Sequence, residues 1–235
     1  MRQIVLCNAE TELDFYIEGV FSYELFGQTF WITTTHLSML VVTLVLIGLA
    51  YAVNRSMRHA KEIPSGLQNA AEFVIELLQG QIDSNMKRGA AFFNYIGTVF
   101  VFVLLSNLSG LFGLRPATAD FGVTFAIGLT TFVIIQVTGI REKKLGHFKA
   151  LFEPVFLFFP INVVGEIANP ISLSMRLFAN LLAGTIIMAL WYGLMPVLAQ
   201  IGIPSFLHAY LDVFSGCIQA YVLFMLTMVY IDDKM

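Results

Sequence analysis

The sequence is poor in charged residues, which make up 12% of its 235 positions, against about 25% in soluble domains. Cysteine is scarce too, and Cys7 and Cys217 lie too far apart to suggest a disulfide framework or a metal motif. The net charge of −3 offers no basic surface for nucleic acid. The chain carries no phosphate-binding loop, so we expect no bound nucleotide, cofactor or metal. We expect no signal peptide, because residues 1–30 are acidic.

Apolar residues dominate instead, at 57% with 22 phenylalanines. They come in long blocks rather than in alternation, which favours membrane-crossing helices over a β-barrel. We therefore predict a single all-α integral membrane domain with five crossings, the last two long and strongly tilted. The fourth block is about twice as long as one crossing needs, so it is either one tilted helix or two crossings. The predicted spans are 31–53, 91–114, 121–140, 150–195 and 204–231.

Lysine and arginine are concentrated in the segments on either side of 64–85 and after the third span, whereas residues 1–30 are acidic. By the positive-inside rule, the N-terminal segment 1–30 lies outside and the basic segments face the cytoplasm. A single crossing by the fourth span then puts the C-terminus in the cytoplasm. The basic residues are Arg55, Arg58, Lys61, Lys87, Arg88, Arg141, Lys143, Lys144 and Lys149.

Residues 64–85 differ from the spans. Leu67, Ala71, Val74, Leu78 and Ile82 recur at helical spacing, with polar residues elsewhere around the helix. This pattern predicts an amphipathic helix at the cytoplasmic surface.

Arg176 stands alone in apolar sequence: between Glu166 and Asp212 there is no other formally charged residue. A guanidinium at bilayer depth costs roughly 2.5–3.5 kcal/mol, so an intramembrane arginine indicates function. It also stays charged at any accessible pH. The alternative is a helix-end arginine whose side chain reaches the interface, but the apolar sequence on both sides argues against it.

Polar residues near Arg176 and on the last span recur on one helix face. At 100° per residue, four of them on the last span fall within about 60° of arc, namely His208, Asp212, Ser215 and Gln219. On the fourth span, Asn169, Ser172 and Asn180 lie close to the direction of Arg176, and Asn162 and Glu166 lie further upstream. Such stripes form either a hydrated path or hydrogen bonds between helices, worth about 0.6 kcal/mol each. For Asp212 and Glu166 we favour function, because a buried carboxylate is costly.

Three stretches resemble a known family. PINVVGEIANPISLSMRLFAN at 160–180, SNLSGLFGLRP at 106–116 and QAYVLFMLTMVYI at 219–231 are similar to subunit a of bacterial F-type (F1Fo) ATP synthases, and the resemblance covers residues 30–231. It implies two tilted helices that wrap along a rotating ring of c subunits. It also implies a multi-pass protein of the bacterial plasma membrane, with the c ring, subunit b and the other F1Fo subunits as partners.

The resemblance further implies a subunit with no catalysis of its own, which conducts H⁺ or Na⁺ through two offset half-channels. Arg176 matches the arginine that separates them, with Asn180 and Gln219 near it and Glu166 as the upstream acid. The sequence departs from many relatives at two positions. This chain has Thr185 where they carry an acid, and Asp212 where they carry a histidine. We infer that Asp212 serves ion uptake, with His208 as a helper. The predicted ion-translocation residues are Arg176, Asn180, Gln219, Asp212, Glu166, His208, Asn162 and Ser215.

The uptake channel is expected to open from the outside near Asp212, Asn180 and Glu166. The main alternative function is a secondary transporter or ion channel that uses Arg176 as an intramembrane anion site. The sequence lacks the internal repeats expected of such transporters. A non-conducting membrane scaffold is a third class.

Overall fold

The structure is a computed structural model that describes residues 19–25, 28–58, 66–112, 114–144, 146, 159–194 and 202–235. Within these ranges five helices are long and apolar enough to cross a membrane, which confirms the predicted class. The helices are α1 (Thr34–Arg58), α2 (Gly66–Asn85), α3 (Gly89–Leu108), α4 (Phe121–Lys143), α5 (Phe159–Leu194), α6 (Ile203–His208) and α7 (Gly216–Lys234). A π-helix, Ala209–Ser215, joins α6 to α7 and is called the π segment below.

A β-hairpin precedes α1, and the all-α prediction omitted it. Strands β1 (Gly19–Leu25) and β2 (Gln28–Thr33) pair antiparallel, with Leu25 opposite Gln28 and Gly19 opposite Thr33. The sequence carried the signal, since two runs rich in aromatic and β-branched residues are separated by two residues. The rest of the predicted N-terminal segment, residues 1–18, lies outside the described residues, as do 150–158 of the fourth span.

The hairpin also explains where α1 begins. The prediction began this span at residue 31, but β2 continues to Thr33 and the helix starts at Thr34. The Thr33 hydroxyl lies 2.7 Å from Nδ1 of His36, one turn into the helix. The backbone N–H of Thr33 also donates to this nitrogen at 3.4 Å, which satisfies a donor that the helix itself leaves without a partner.

α5 is one continuous helix of 36 residues with Pro170 inside it. At 1.5 Å per residue it is about 54 Å long, nearly twice the hydrocarbon thickness. The described part of the fourth span is therefore one helix rather than two crossings. Its tilt stays a prediction.

α7 lies at the centre of the bundle. Its Ala220 and Leu223 pack with residues of α3 and α5, and its Phe224, Met228 and Ile231 pack with residues of α2, α3 and α4. These five side chains are buried almost completely. α7 therefore has neighbours on most of its circumference, whereas α1 buries only Thr35, Ser38 and Val42.

Close packing of α4 on α5 relies on small residues. A Cβ at Gly128 would lie 2.7 Å from the Pro170 carbonyl oxygen, so any larger residue would force the helices apart. Thr124, Thr131 and Thr138 continue the buried face of α4 at helical spacing. Small residues at helix interfaces are typical of membrane proteins, where close approach replaces hydrophobic driving force.

The basic segments meet at one end of the bundle. Arg88 forms an ion pair with Glu142, the backbone N–H of Lys87 donates to Asp232 Oδ1 at 3.1 Å, and Lys143 Nζ donates to the Asp233 carbonyl at 3.0 Å. The start of α3 and the ends of α4 and α7 therefore share one end. The positive-inside rule predicts that this end faces the cytoplasm.

The predicted orientation can be measured by thiol labelling from either side of the membrane. Phe112, 82% exposed beyond α3, lies at the opposite end from Ser84, which is exposed near the end of α2. With Cys7 and Cys217 replaced by serine, Phe112→Cys should react with an impermeant maleimide added outside, and Ser84→Cys only after the inner face is opened. The reverse pattern would contradict the orientation.

Candidate functional site

Arg176 lies at the middle of α5, about 26 Å from either end at 1.5 Å per residue. Its side chain is exposed, and none of the described residues forms a hydrogen bond or an ion pair with it. Three small exposed residues lie close to the same direction along α5, namely Ser172, Ala179 and Ala183. The arginine therefore projects from a flat helix face that a neighbour can approach closely.

Two contacts fix how α5 and α7 lie beside each other. The Ser215 hydroxyl donates to Asn180 Oδ1 at 2.7 Å, and Lys234 pairs with Glu166. The two helices are therefore antiparallel. Arg176 lies four residues from Asn180 on α5, and Gln219 lies four residues from Ser215 on the last span. Both lie on the side of that contact that leads toward the Glu166–Lys234 pair. They are thus at about the same depth, which supports the predicted proximity of Gln219 to Arg176.

Gln219 has an unsatisfied polar group. Its side-chain nitrogen Nε2 is buried and has no hydrogen-bond partner among the described residues. A buried donor left without an acceptor costs about 1–3 kcal/mol. A buried donor of this kind calls for an explanation such as a bound water or a functional role, and Gln219 lies at about the depth of Arg176.

His208 and Asp212 form a pair at the other end of α5 and α7 from Lys234. His208 Nδ1 lies 2.7 Å from Asp212 Oδ2, and their side chains are 43% and 21% exposed. Asp212 also faces the end of α3, because a Cβ at Gly110 would lie 4.0 Å from its carboxyl carbon. The pair is therefore a partly exposed carboxylate and imidazole that can bind and pass a proton or a cation.

The π segment corrects the predicted single polar face of the last span. Its i→i+5 bonds widen the turn by about one residue, which shifts the helix phase by about 100°. Ser215 consequently points to Asn180 on α5, whereas Asp212 points to Gly110 at the end of α3. The fixed 100° step used for the prediction does not hold through a π-helix.

A buried polar cluster at the end of α3 was missed by sequence reasoning. Asn107 Nδ2 donates to the Gly216 carbonyl at 3.0 Å, and Asn107 Oδ1 accepts from the Thr118 hydroxyl at 2.9 Å. The Thr118 hydroxyl also lies 3.3 Å from Ser106 Oγ. The signal was present in residues 106–109, where three of four side chains are polar in a span otherwise rich in apolar residues.

Glu166 is not part of the Asp212 group, and its predicted place in the uptake channel is wrong. Its carboxylate binds Lys234 and the side-chain amide of Gln136. Lys234 is 22 residues from Asp212 along the last span, a distance of about 30 Å in helix. Antiparallel packing of α5 on α7 carries Glu166 to the end with the basic residues. Asn162 lies one turn further toward the start of α5 and is half-buried.

Two further features concern Thr185 and the capacity to bind a metal ion. Thr185, where many relatives are expected to have an acid, donates its hydroxyl to the Leu181 carbonyl of its own helix at 3.0 Å. Within the described ranges, no three His, Cys, Asp or Glu side chains come together in a way that could hold a metal ion.

These features define a polytopic helical membrane protein with polar groups at three depths along its last two long helices. The family described as ATP synthase A chain matches residues 36–232. The chain is 39% identical over 225 residues to "ATP synthase subunit a, sodium ion specific" of Propionigenium modestum. The match covers 87% of this chain and 75% of that protein.

Other relatives agree. "ATP synthase subunit a 2" of Syntrophotalea carbinolica is 33% identical over 218 residues, covering 90% of this chain and 89% of the relative. "ATP synthase subunit a" of Moorella thermoacetica is 34% identical over 195 residues, covering 82% and 85%. The chain belongs to the ATP synthase subunit a family, whose members are non-catalytic, ion-translocating membrane subunits of the Fo sector.

The Glu166–Lys234 pair is 18% and 20% exposed, so each charge depends on the other. Glu166→Gln or Lys234→Met alone should destabilise the protein, because the remaining charge loses its partner. The double variant should recover part of the loss, with a coupling energy of about 0.5–3 kcal/mol. Thermal unfolding of the purified protein in detergent measures it, with exposed Asp233→Asn as control. Additive losses would show that the pair does not couple.

Proposed function

We propose that Arg176 separates two half-channels through which H⁺ or Na⁺ reaches and leaves carboxylates on a ring of c subunits. Ion flow through these half-channels turns the ring, and rotation drives ATP formation in a separate headpiece. This chain then supplies the stationary path and binds no nucleotide. Subunit b and the remaining F1Fo subunits hold it in place.

The observation that carries the proposal is the exposed Arg176 side chain in the middle of α5. Lipid tails cannot solvate a guanidinium without a cost of several kcal/mol, so this face must meet a polar or anionic surface. Small neighbours such as Ala179 and Ala183 leave room for the close approach of another helix. A ring carboxylate satisfies both requirements, because it pairs with the charge and sits on a helix.

Uptake begins at the end of the bundle that holds His208 and Asp212. The pair is partly exposed, and its carboxylate lies beside Gly110 at the end of α3. Further in, Ser215 and Asn180 form a polar contact between α7 and α5, one turn before the level of Arg176. The ion passes from the first pair to the second and then neutralises a ring carboxylate.

Release takes place at the opposite end. Glu166 lies ten residues before Arg176, about 15 Å along the helix, and is held by Gln136 and Lys234. A carboxylate at this depth attracts the ion that leaves the ring, and the neighbouring lysine limits how tightly it is held. Asn162 lies one turn nearer to the end of the helix.

Electrostatics makes the path directional. A neutralised ring carboxyl can face lipid at low cost, whereas an ionised one cannot. The carboxylate that has lost its ion is attracted to Arg176, and the same charge repels cations that would otherwise cross directly. Each charge that crosses 100 mV supplies about 2.3 kcal/mol.

Replacing Arg176 by alanine removes the barrier. ATP-driven pumping in inverted membrane vesicles should fall to background, while passive ion leak through the assembled complex should rise. Arg58→Ala, which removes an exposed arginine at the end of α1, is the matched control and should pump normally. Normal coupled pumping by the Arg176→Ala variant would refute the proposal.

Asp212→Asn should slow ion uptake by about tenfold or more, because an amide cannot accept a proton or attract a cation as a carboxylate does. ATP-driven ion transport is measured with and without Na⁺, since one relative is named sodium ion specific. Asp233→Asn near the C-terminus is the control. Turnover equal to that of the parent across pH and Na⁺ concentration would remove Asp212 from the path.

A further inference from the structure

Asn107 joins α3 to the point where the π segment ends. It is 2% exposed, and both ends of its amide are used: Nδ2 donates to the Gly216 carbonyl and Oδ1 accepts from Thr118. The π segment ends at Ser215, and α-helix resumes at Gly216. The buried amide is therefore hydrogen-bonded to the first residue of α7.

The contact is tight at position 216. A Cβ on Gly216 would lie 3.1 Å from the Asn107 Cβ and 3.6 Å from its Nδ2. The first distance is shorter than most side-chain contacts, so a larger residue would require Asn107 to shift by a few tenths of an ångström. Asn107 and Gly216 are thus matched in shape as well as by a hydrogen bond.

A π-helix is rare and usually occurs as a single widened turn, so it requires contacts outside the helix to persist. We infer that the Asn107–Gly216 contact is an anchor that holds the π segment in place and thereby sets the direction of Asp212. Asn107 is a positioning residue: it acts on ion uptake through Asp212. The functional half of this inference rests on the proposed role of Asp212.

The direction matters because of the charge on Arg176. Without the π segment, regular α-helix would place Asp212 within about 60° of Ser215, on the side that faces Asn180 and α5. A carboxylate there would lie on the same side as Arg176, about two helical turns away along α5, and would partly offset its charge before the ring carboxylate arrives. The anchor instead turns Asp212 toward Gly110 and the end of α3.

Disulfide formation reports the position of the π segment relative to α5. A Cβ on Gly184 would lie 3.8 Å from the Leu211 Cβ in the π segment, which is the mean separation in disulfides. In the complex with Cys7→Ser and Cys217→Ser, the pair Gly184→Cys and Leu211→Cys should cross-link on oxidation. Adding Asn107→Leu should lower the yield at least fivefold, because loss of the π segment rotates position 211 away from position 184. Asn94→Leu, at an exposed position on α3, should leave it unchanged.

A second measurement separates positioning from general stability. Asp212→Asn should slow ATP-driven ion transport in the parent and in the Asn94→Leu control. In the Asn107→Leu background the same change should have little further effect, because Asp212 is already misdirected. A full Asp212→Asn effect in that background would overturn the inference, whatever the amount of assembled complex.

Gly216→Ala tests the anchor with the amide intact and serves if Asn107→Leu does not assemble. The added methyl group should displace Asn107 and lower the cross-link yield several-fold. An unchanged yield in Gly216→Ala, or in an assembled Asn107→Leu variant, would overturn the anchor. If Asp212→Asn has no effect even in the parent, the proposed role of Asp212 fails, while the cross-link still decides the anchor.

Discussion

A guanidinium in the middle of a membrane must be met by a polar or negative surface, and none of the described residues supplies that surface to Arg176. The described residues leave the side chain exposed on α5. The buried Gln219 nitrogen, at about the same depth, also has no acceptor among them. The exposed charge at mid-helix depth is the feature on which the proposal of a ring partner rests.

The position of α7 explains how α5 is held in the bundle. α7 packs against α2, α3, α4 and α5 through its buried side chains. The polar groups on these two helices are separated by depth, with His208 and Asp212 toward one end and Glu166 and Lys234 toward the other. Arg176 lies between them. Two polar regions divided by one fixed charge is the arrangement that offset half-channels require.

The apolar blocks and the lone arginine sufficed to predict the class and the five crossings, because each depends on local composition. The β-hairpin was missed although its pattern was readable in residues 20–33. The π segment and the pairing of Glu166 with Lys234 depend on contacts between residues far apart in the chain, 109 positions for Asn107 with Gly216 and 68 for Glu166 with Lys234. Helical periodicity carries no information about such contacts, so the predicted polar face and the predicted place of Glu166 were both wrong.

The same packing supports the proposal that Asp212 takes the role of an acid expected at position 185. Gly184 approaches Leu211 closely, at 3.8 Å between their Cβ positions, so residues 185 and 212 lie at about the same depth on neighbouring helices. Thr185 makes its hydrogen bond within its own helix, which leaves Asp212 as the carboxylate at this level among the described residues. An acid moved from one helix to the other keeps its distance from Arg176 along the membrane normal. Because the π segment turns it toward α3, it does so without pairing with the arginine.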